Sequence, residues 1–262
     1  MNISIIGTGN IAWHFIQVFE ENDLNVAEVF ARKKRKAADM QGYAYDVAVQ
    51  TNLDFSNSTS KVFFLAVSDD AIVQVASEIR LPKEAILVHT SGAKTLGELS
   101  VALERNPEVK MGVFYPLMTF TRGVPVDFRK VPICIEGEDE YTLSILRGIA
   151  QKISGNVSEI TSHQRLVLHV AAVFGCNFVN HLWALSKEIV EEEEIDFEIL
   201  KPLISETFQK AMKAEHPAQV QTGPAVRDDE STIEKHKKLV KEDPDLLKVY
   251  KTLTQSIQDW HQ

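Results

Sequence analysis

The chain begins with a turn that leaves little choice of architecture. Residues 2–6 are an apolar run, Gly7-Thr8-Gly9-Asn10-Ile11-Ala12 follows at once, and residues 13–19 carry the apolar spacing of a helix. A strand feeding a glycine turn into a helix gathers unpaired backbone N–H groups and the positive end of a helix dipole at one point. That is where a dinucleotide pyrophosphate is held. Gly7 permits the turn, Gly9 lets the backbone approach the phosphates, and Ala12 is small enough for the helix to pack closely on the strand. Glycine spacing alone is common, and the strand before it and the helix after it make it informative. Thr8, Asn10 and Ile11 complete the expected cradle.

The adenosine end of the ligand is read from the second strand. In such folds an acid about 20 residues beyond the glycines takes the ribose 2′-hydroxyl of NAD. Here the second strand is expected over residues 26–30, and it runs into Ala31-Arg32-Lys33-Lys34-Arg35-Lys36 without an acid. A carboxylate would repel a 2′-phosphate, whereas Arg32 offers a planar fork of donors and Lys33 adds charge. NADP is therefore expected over NAD. The same run can also be a solvated helix start or a nucleic-acid or import patch. A net charge of −9 argues against nucleic acid as the main partner, because a phosphate backbone demands broad positive surface.

At 262 residues the chain can hold two domains. Strand-like runs at residues 61–67, 85–89, 110–115, 131–136 and 156–160 alternate with helical patterns at 71–79, 96–104 and 140–153. This rhythm places residues 1–161 in the α/β class, as a doubly wound sheet with helices on both faces. From Ser162 the strand pattern stops. Helices are expected at 163–191, 197–213, 231–241 and 245–260, with breaks at His216-Pro217, Thr222-Gly223-Pro224 and Asp243-Pro244. Residues 162–262 thus form a smaller all-α domain. Residues 166–185 are apolar for about 20 residues, enough to span a membrane. His169, Asn177, Asn180 and His181 would be expensive in lipid, so this segment is read as a buried central helix, with no membrane partner. Two cysteines, Cys134 and Cys176, show neither a disulfide framework nor a metal site. With Met1-Asn2 leading straight into the first strand, a cytoplasmic protein is expected.

Ligands of open α/β sheets sit beyond the carboxyl ends of the strands. Val67 and Ser68 occupy such an end and are assigned to the cofactor, while Asp69 reads as a helix N-cap. Ser91-Gly92 forms a small polar turn, which either approaches the nicotinamide or serves only the geometry of the loop. On a regular helix His169 and Asn180 lie about 20° apart, with Asn177 within about 80° of His169, so an apolar helix carries one polar sector. Buried polar groups are costly unless paired, and the partner is either another side chain or a substrate. Histidine can exchange a proton at neutral pH, and asparagine can hold an oxygen that gains charge. His169 is thus either catalytic or structural, and His181 is read as structural. Arg227 can clamp a substrate carboxylate, or it pairs with Asp228 or Asp229.

With these residues in place, the chain resembles a family of Rossmann-like proteins whose C-terminal helical domain is of uncharacterised function. That family is related to the 6-phosphogluconate dehydrogenase, ketopantoate reductase and pyrroline-5-carboxylate reductase group. The marks are Gly7 to Ala12, His89-Thr90-Ser91-Gly92, Tyr115-Pro116-Leu117-Met118-Thr119-Phe120, residues 169–177, and Thr222-Gly223-Pro224 through Arg227 to His236. The resemblance implies an NADP-linked oxidoreductase with a substrate cleft between the domains and a homodimer formed through the helical one. Better-known relatives use a helix lysine as the acid, for which His169 is the nearest equivalent. The usual His-Pro is Tyr115-Pro116 here, and the usual Arg-Gly-Asp is Arg227-Asp228-Asp229.

The expected activity is hydride transfer between the nicotinamide and a small anionic carbonyl or imine compound. His169, Asn177 and Ser91 are its catalytic candidates, and Tyr115, Asn180 and Arg227 are the substrate-side ones. Two alternatives use the same scaffold: a non-catalytic NADP-binding sensor or interaction protein, and a ketopantoate-type reductase with Arg227 on the substrate carboxylate.

Overall fold

The computed structural model describes residues 1–33 and 47–261. Lys34, Arg35 and Lys36 of the basic run lie outside the described residues. The chain starts with β1 (Asn2–Ile6), α1 (Asn10–Glu20) and β2 (Asn25–Phe30), the expected strand, turn, helix and strand. β3 (Ala48–Gln50), β4 (Val62–Leu65), α2 (Asp69–Glu78) and β5 (Ile86–His89) follow. After a 3₁₀ helix, Leu96–Glu104, come β6 (Lys110–Pro116), β7 (Ile133–Gly137), α3 (Glu140–Ile153) and β8 (Val157–Glu159). The eight strands form one sheet in the order β3-β2-β1-β4-β5-β6-β7-β8. β1 and β4 are neighbours although they are not consecutive, and ligands of doubly wound sheets bind at such a switch point.

β4 is apolar throughout and β1 and β5 nearly so, as burial on both faces favours, with the buried Ser4 of β1 hydrogen-bonded to Glu28 and Ser60. On one face Phe15 and Phe19 of α1 meet Phe64 and Phe114, with ring centroids 4.9–5.7 Å apart. On the other, Ile72, Val75 and Ala76 of α2 pack over Phe63, Leu65 and Leu87. Three features differ from expectation. β7 runs antiparallel to β6, with Tyr115 opposite Cys134, because residues 117–132 connect them through a loop and a short 3₁₀ turn rather than a crossover helix. The helix over residues 96–104 is 3₁₀, with Gly97 in its first turn lowering α propensity. Ser68, not Asp69, takes the N-cap position of α2, and Asp69 and Asp70 place their charge in its first turn.

Contacts divide the chain into two compact units, Met1–Val173 and Phe174–Gln262. The sheet ends near residue 160 as expected, but α4 (Ser162–Ala172) belongs with the first unit. Arg165 holds it there. This side chain is 1% exposed, is paired with Glu136 of β7, and also donates to the Lys94 carbonyl and the Ser162 hydroxyl. Ser162 Oγ in turn donates to Glu136 at 2.8 Å and accepts from the Leu96 N–H at 3.1 Å.

The helical run Ser162–Glu191 is long and apolar enough to cross a membrane by length and composition. The expectation of a buried central helix is corrected, since its apolar window is not buried within the chain. Val167, Phe174 and Phe178 are each half exposed or more, because periodicity reports an apolar face but not what covers it. A π-helical turn, Val173–Phe178, separates α4 from α5 (Val179–Glu191). A uniform 100° per residue therefore does not hold between His169 and Asn180, which removes the angular argument for one polar sector.

The second unit contains α5, α6 (Lys201–Lys213), α7 (Glu230–Leu239) and α8 (Pro244–His261), with short 3₁₀ turns at Phe197–Leu200 and Pro217–Val220. Within it Tyr250 and His236 Nδ1 lie 2.9 Å apart, and the Trp260 ring stacks on His216.

Two stability measurements follow from the first unit. Removing the guanidinium with Arg165→Ala leaves Glu136 without its cation and should cost about 3 kcal/mol in urea unfolding. A loss below about 0.5 kcal/mol would mean that the pair does not anchor α4. His89 is fully buried; its Nδ1 accepts from the Ser91 N–H and its Nε2 donates to the Thr95 carbonyl. Burial, reinforced by the Arg165 charge, lowers its pKa to about 4 from an ordinary 6.5. The unfolded chain therefore takes up this proton first. Stability should fall by on the order of 3 kcal/mol between pH 6.5 and 4, and His89→Gln should flatten that slope.

Candidate active site

The first turn of α1 stands at the switch point with its N–H groups uncommitted. Gly9 occupies the N-cap position without a side-chain hydrogen bond, and no acid lies in the first turn. Gly7 adopts φ +130°, and a Cβ there would lie 2.2 Å from the Ala66 carbonyl oxygen. Only glycine fits. At Gly9 the nearest atom to a Cβ would be the Ala66 carbonyl oxygen at 3.9 Å, an ordinary contact, so the chain itself does not crowd this position.

A cleft of about 730 Å³ opens over this turn. Gly7, Thr8, Gly9, Asn10 and Ile11 form its floor, Arg32 and Lys33 stand at one end, and Val67 and Ser68 come from the end of β4. Every expected cofactor residue except Ser91 is there. Among the described residues no carboxylate lines the cleft, while two exposed cations do. That donor set fits a phosphorylated dinucleotide: backbone N–H groups and a helix dipole for the pyrophosphate, and a guanidinium for a further phosphate. Met118 and Phe120 also line it. Sequence reasoning did not assign them to the cofactor, although both lie in the motif from Tyr115 to Phe120.

Two strands further along the same sheet edge, a second group assembles. The Tyr115 hydroxyl at the end of β6 lies 3.0 Å from His169 Nδ1 on α4. Gly92 lies against both, for a Cβ there would be 2.7 Å from His169 Nδ1 and 2.9 Å from Tyr115 Cζ. Ser91 is buried, and its Oγ accepts from the backbone N–H groups of Ala93 and Lys94, which leaves the hydroxyl proton available. Burial holds the Tyr115 phenol above its ordinary pKa, with smaller contributions from Cys134 and Asp69. It is therefore a neutral donor at physiological pH. Two expected residues, Tyr115 and His169, are brought together, and Ser91 precedes the glycine that lies against them. His89, which ties the 89–95 loop, and Arg165, one turn before His169, were not assigned roles from sequence. A lone arginine heading an apolar helix was the available signal.

The other candidates lie in the second unit. Asn177 and Asn180 are exposed and make no side-chain hydrogen bond among the described residues, so the argument from the cost of burial does not apply to them. Arg227 is exposed and forms no ion pair among the described residues. Asp228 accepts from Gln258, and Asp229 caps α7 through Thr232. His181 is exposed.

Residues 2–92 match the family described as NADP oxidoreductase, coenzyme F420-dependent, and residues 131–257 match a domain of unknown function, DUF2520. No curated protein gives a significant match. A solved protein of Bacteroides fragilis assigned as an NADP oxidoreductase is 32% identical, covers 98% of each chain and superposes with a TM-score of 0.87. A reductive aminase of Aspergillus terreus, solved with NADPH and ethyl-5-oxohexanoate, shares the fold at 12% identity. Its TM-score is 0.75, over 97% of this chain and 92% of that one. A pyrroline-5-carboxylate reductase of Coxiella burnetii is 15% identical over 98% of each chain, with a TM-score of 0.56. The cofactor of the matched N-terminal family is NADP. The chain belongs to the family of NADP oxidoreductases that join such a dinucleotide-binding domain to a C-terminal helical domain of unknown function.

Proposed function

We propose that the chain is an NADPH-dependent reductase of a small carbonyl or imine compound, in which Tyr115 and His169 deliver the proton. NADPH supplies the hydride when bound. The Gly7 to Ile11 turn would hold its pyrophosphate, and Arg32 with Lys33 its 2′-phosphate. The observation that carries the reading is the 3.0 Å pairing of Tyr115 Oη with His169 Nδ1 over the Gly92 backbone. As substrate oxygen or nitrogen gains negative charge, the phenol can donate to it, and His169 can return a proton to the phenol oxygen from Nδ1 along the existing hydrogen bond while its Nε2 takes one from solvent. Ser91 can donate beside them. From the second unit, Asn177 remains a catalytic proposal and Asn180 and Arg227 substrate-side ones, with the exposed guanidinium of Arg227 suited to a carboxylate.

We also place the protein in the cytoplasm as a homodimer. The exposed Phe174, Phe178, Ile199, Leu203, Phe208 and Met212 leave the second unit with far more apolar surface than a monomer usually shows. The burial of Arg165 against Glu136 favours a protein partner over lipid for the helix it heads. Light scattering should give twice the chain mass, and a monomer at micromolar concentration would refute the pairing.

The activity is tested by following NADPH absorbance against 2-keto acids, aldehydes and imines. With a substrate in hand, His169→Ala and Tyr115→Phe should each lower kcat by roughly a hundredfold or more while leaving the NADPH Kd unchanged. Because the Tyr115 pKa is raised, the rate should hold through neutral pH and fall only above the ordinary tyrosine range near 10. Wild-type turnover in both variants would remove the pair from the mechanism.

A further inference from the structure

The connection between β6 and β7, residues 117–132, does more than reverse the strand. Its backbone is tied to one face of α1 by two side chains a turn apart. Asn10 Nδ2 donates to the Phe120 carbonyl at 2.8 Å, and His14 Nε2 lies 3.2 Å from the carbonyl of Thr121. The His14 ring is 4% exposed, packed edge-on to Trp13 at 4.6 Å and against Phe120 at 5.0 Å and Phe128 at 6.3 Å. Burial lowers its pKa, so the ring is neutral and its Nε2–H serves as the donor to Thr121. Phe120 also stacks on Phe128 at 5.7 Å, which ties two points of the segment to the same aromatic cluster.

The other side of this segment faces the dinucleotide cleft. Met118 and Phe120 line it opposite Ser68, and Met118 is 50% exposed, an apolar side chain held in water at the cleft's rim. His14 does not reach the cleft. It borders a separate hollow of about 320 Å³, together with Trp13, Asp127 and Arg129. Any influence of His14 on the cleft therefore passes through the segment it holds.

We propose that residues 117–121 are a strap forming one wall of the dinucleotide cleft, and that His14 is the positioning residue that sets cofactor affinity by holding this strap from behind. The proposal rests on the reading of the cleft as the dinucleotide site. It gives the motif from Tyr115 to Phe120 two tasks: its first residue belongs to the proposed proton-transfer pair, and its last ones line the dinucleotide cleft.

The test compares the full-length protein with His14→Leu, which keeps the bulk but loses the donor, and His14→Gln, which keeps a donor. NADPH affinity is read by calorimetry, and strap position by the rate of tryptic cleavage after Arg122. His14→Leu should weaken NADPH binding roughly tenfold and speed the cleavage, while His14→Gln should stay within about threefold of wild type. NADPH should slow the cleavage in wild type. Unchanged NADPH affinity and cleavage in His14→Leu would overturn the strap while leaving the dinucleotide site standing, and equal losses in Leu and Gln would overturn the donor role. A wild-type chain that fails to bind NADPH would overturn the dinucleotide reading, and the strap with it.

Discussion

The whole site hangs on the crossing of one backbone over another at Gly7. This residue leaves β1 at φ +130°, donates its N–H to the Phe30 carbonyl of β2, and passes so close to the end of β4 that a methyl group would overlap the Ala66 oxygen. The obstacle is backbone and cannot rotate away. β1 is locked between its neighbours, and α1 starts at the point where the strand order reverses. Its first-turn N–H groups and dipole face a cleft whose only charges among the described residues are the cations Arg32 and Lys33. An anionic ligand is the natural occupant of that arrangement.

The pair of Tyr115 and His169, to which we assign proton transfer, depends on the same sheet. β4, β5 and β6 run parallel, so their carboxyl ends present Ser68, Ser91 and Tyr115 along one edge. β1 and β6 are separated by three strand spacings, about 14 Å. The glycine turn after β1 and Tyr115 at the end of β6 therefore stand about three strand spacings apart along the sheet edge. α4 completes the group because Arg165 pins it to Glu136 at the sheet's far side. His169 lies one helical turn beyond that anchor, in reach of Tyr115. A buried ion pair is weak evidence for net stability, and its value here lies in fixing where that turn of helix sits.

Much of this was legible because the signals were local. The glycine turn, the missing acid after β2, and the alternation of strands and helices each read correctly from a few adjacent residues. What escaped depended on partners distant in sequence. β3 has three residues, too few to show a period. The direction of β7 is set by how residues 117–132 travel, which no hydrophobic pattern encodes. The helix from Ser162 was read as buried because its apolar face is plain, but within one chain much of that face is open. The π-turn at Val173–Phe178 is likewise silent in sequence, and it invalidates an angle computed for a regular helix. The hydrogen-bond partner of His169 is Tyr115, a side chain far away in sequence that no helical spacing could reveal.

The central claim is that the cleft at the start of α1 holds a dinucleotide carrying an extra phosphate, recognised by Arg32. Calorimetric titration of the wild-type chain and Arg32→Ser with NADPH and NADH tests it most directly. The account predicts that wild type binds NADPH at least roughly tenfold more tightly than NADH, from one charge-assisted contact, and that Arg32→Ser abolishes the preference by weakening NADPH alone. Equal affinity for the two in wild type, or no binding of either, would contradict it.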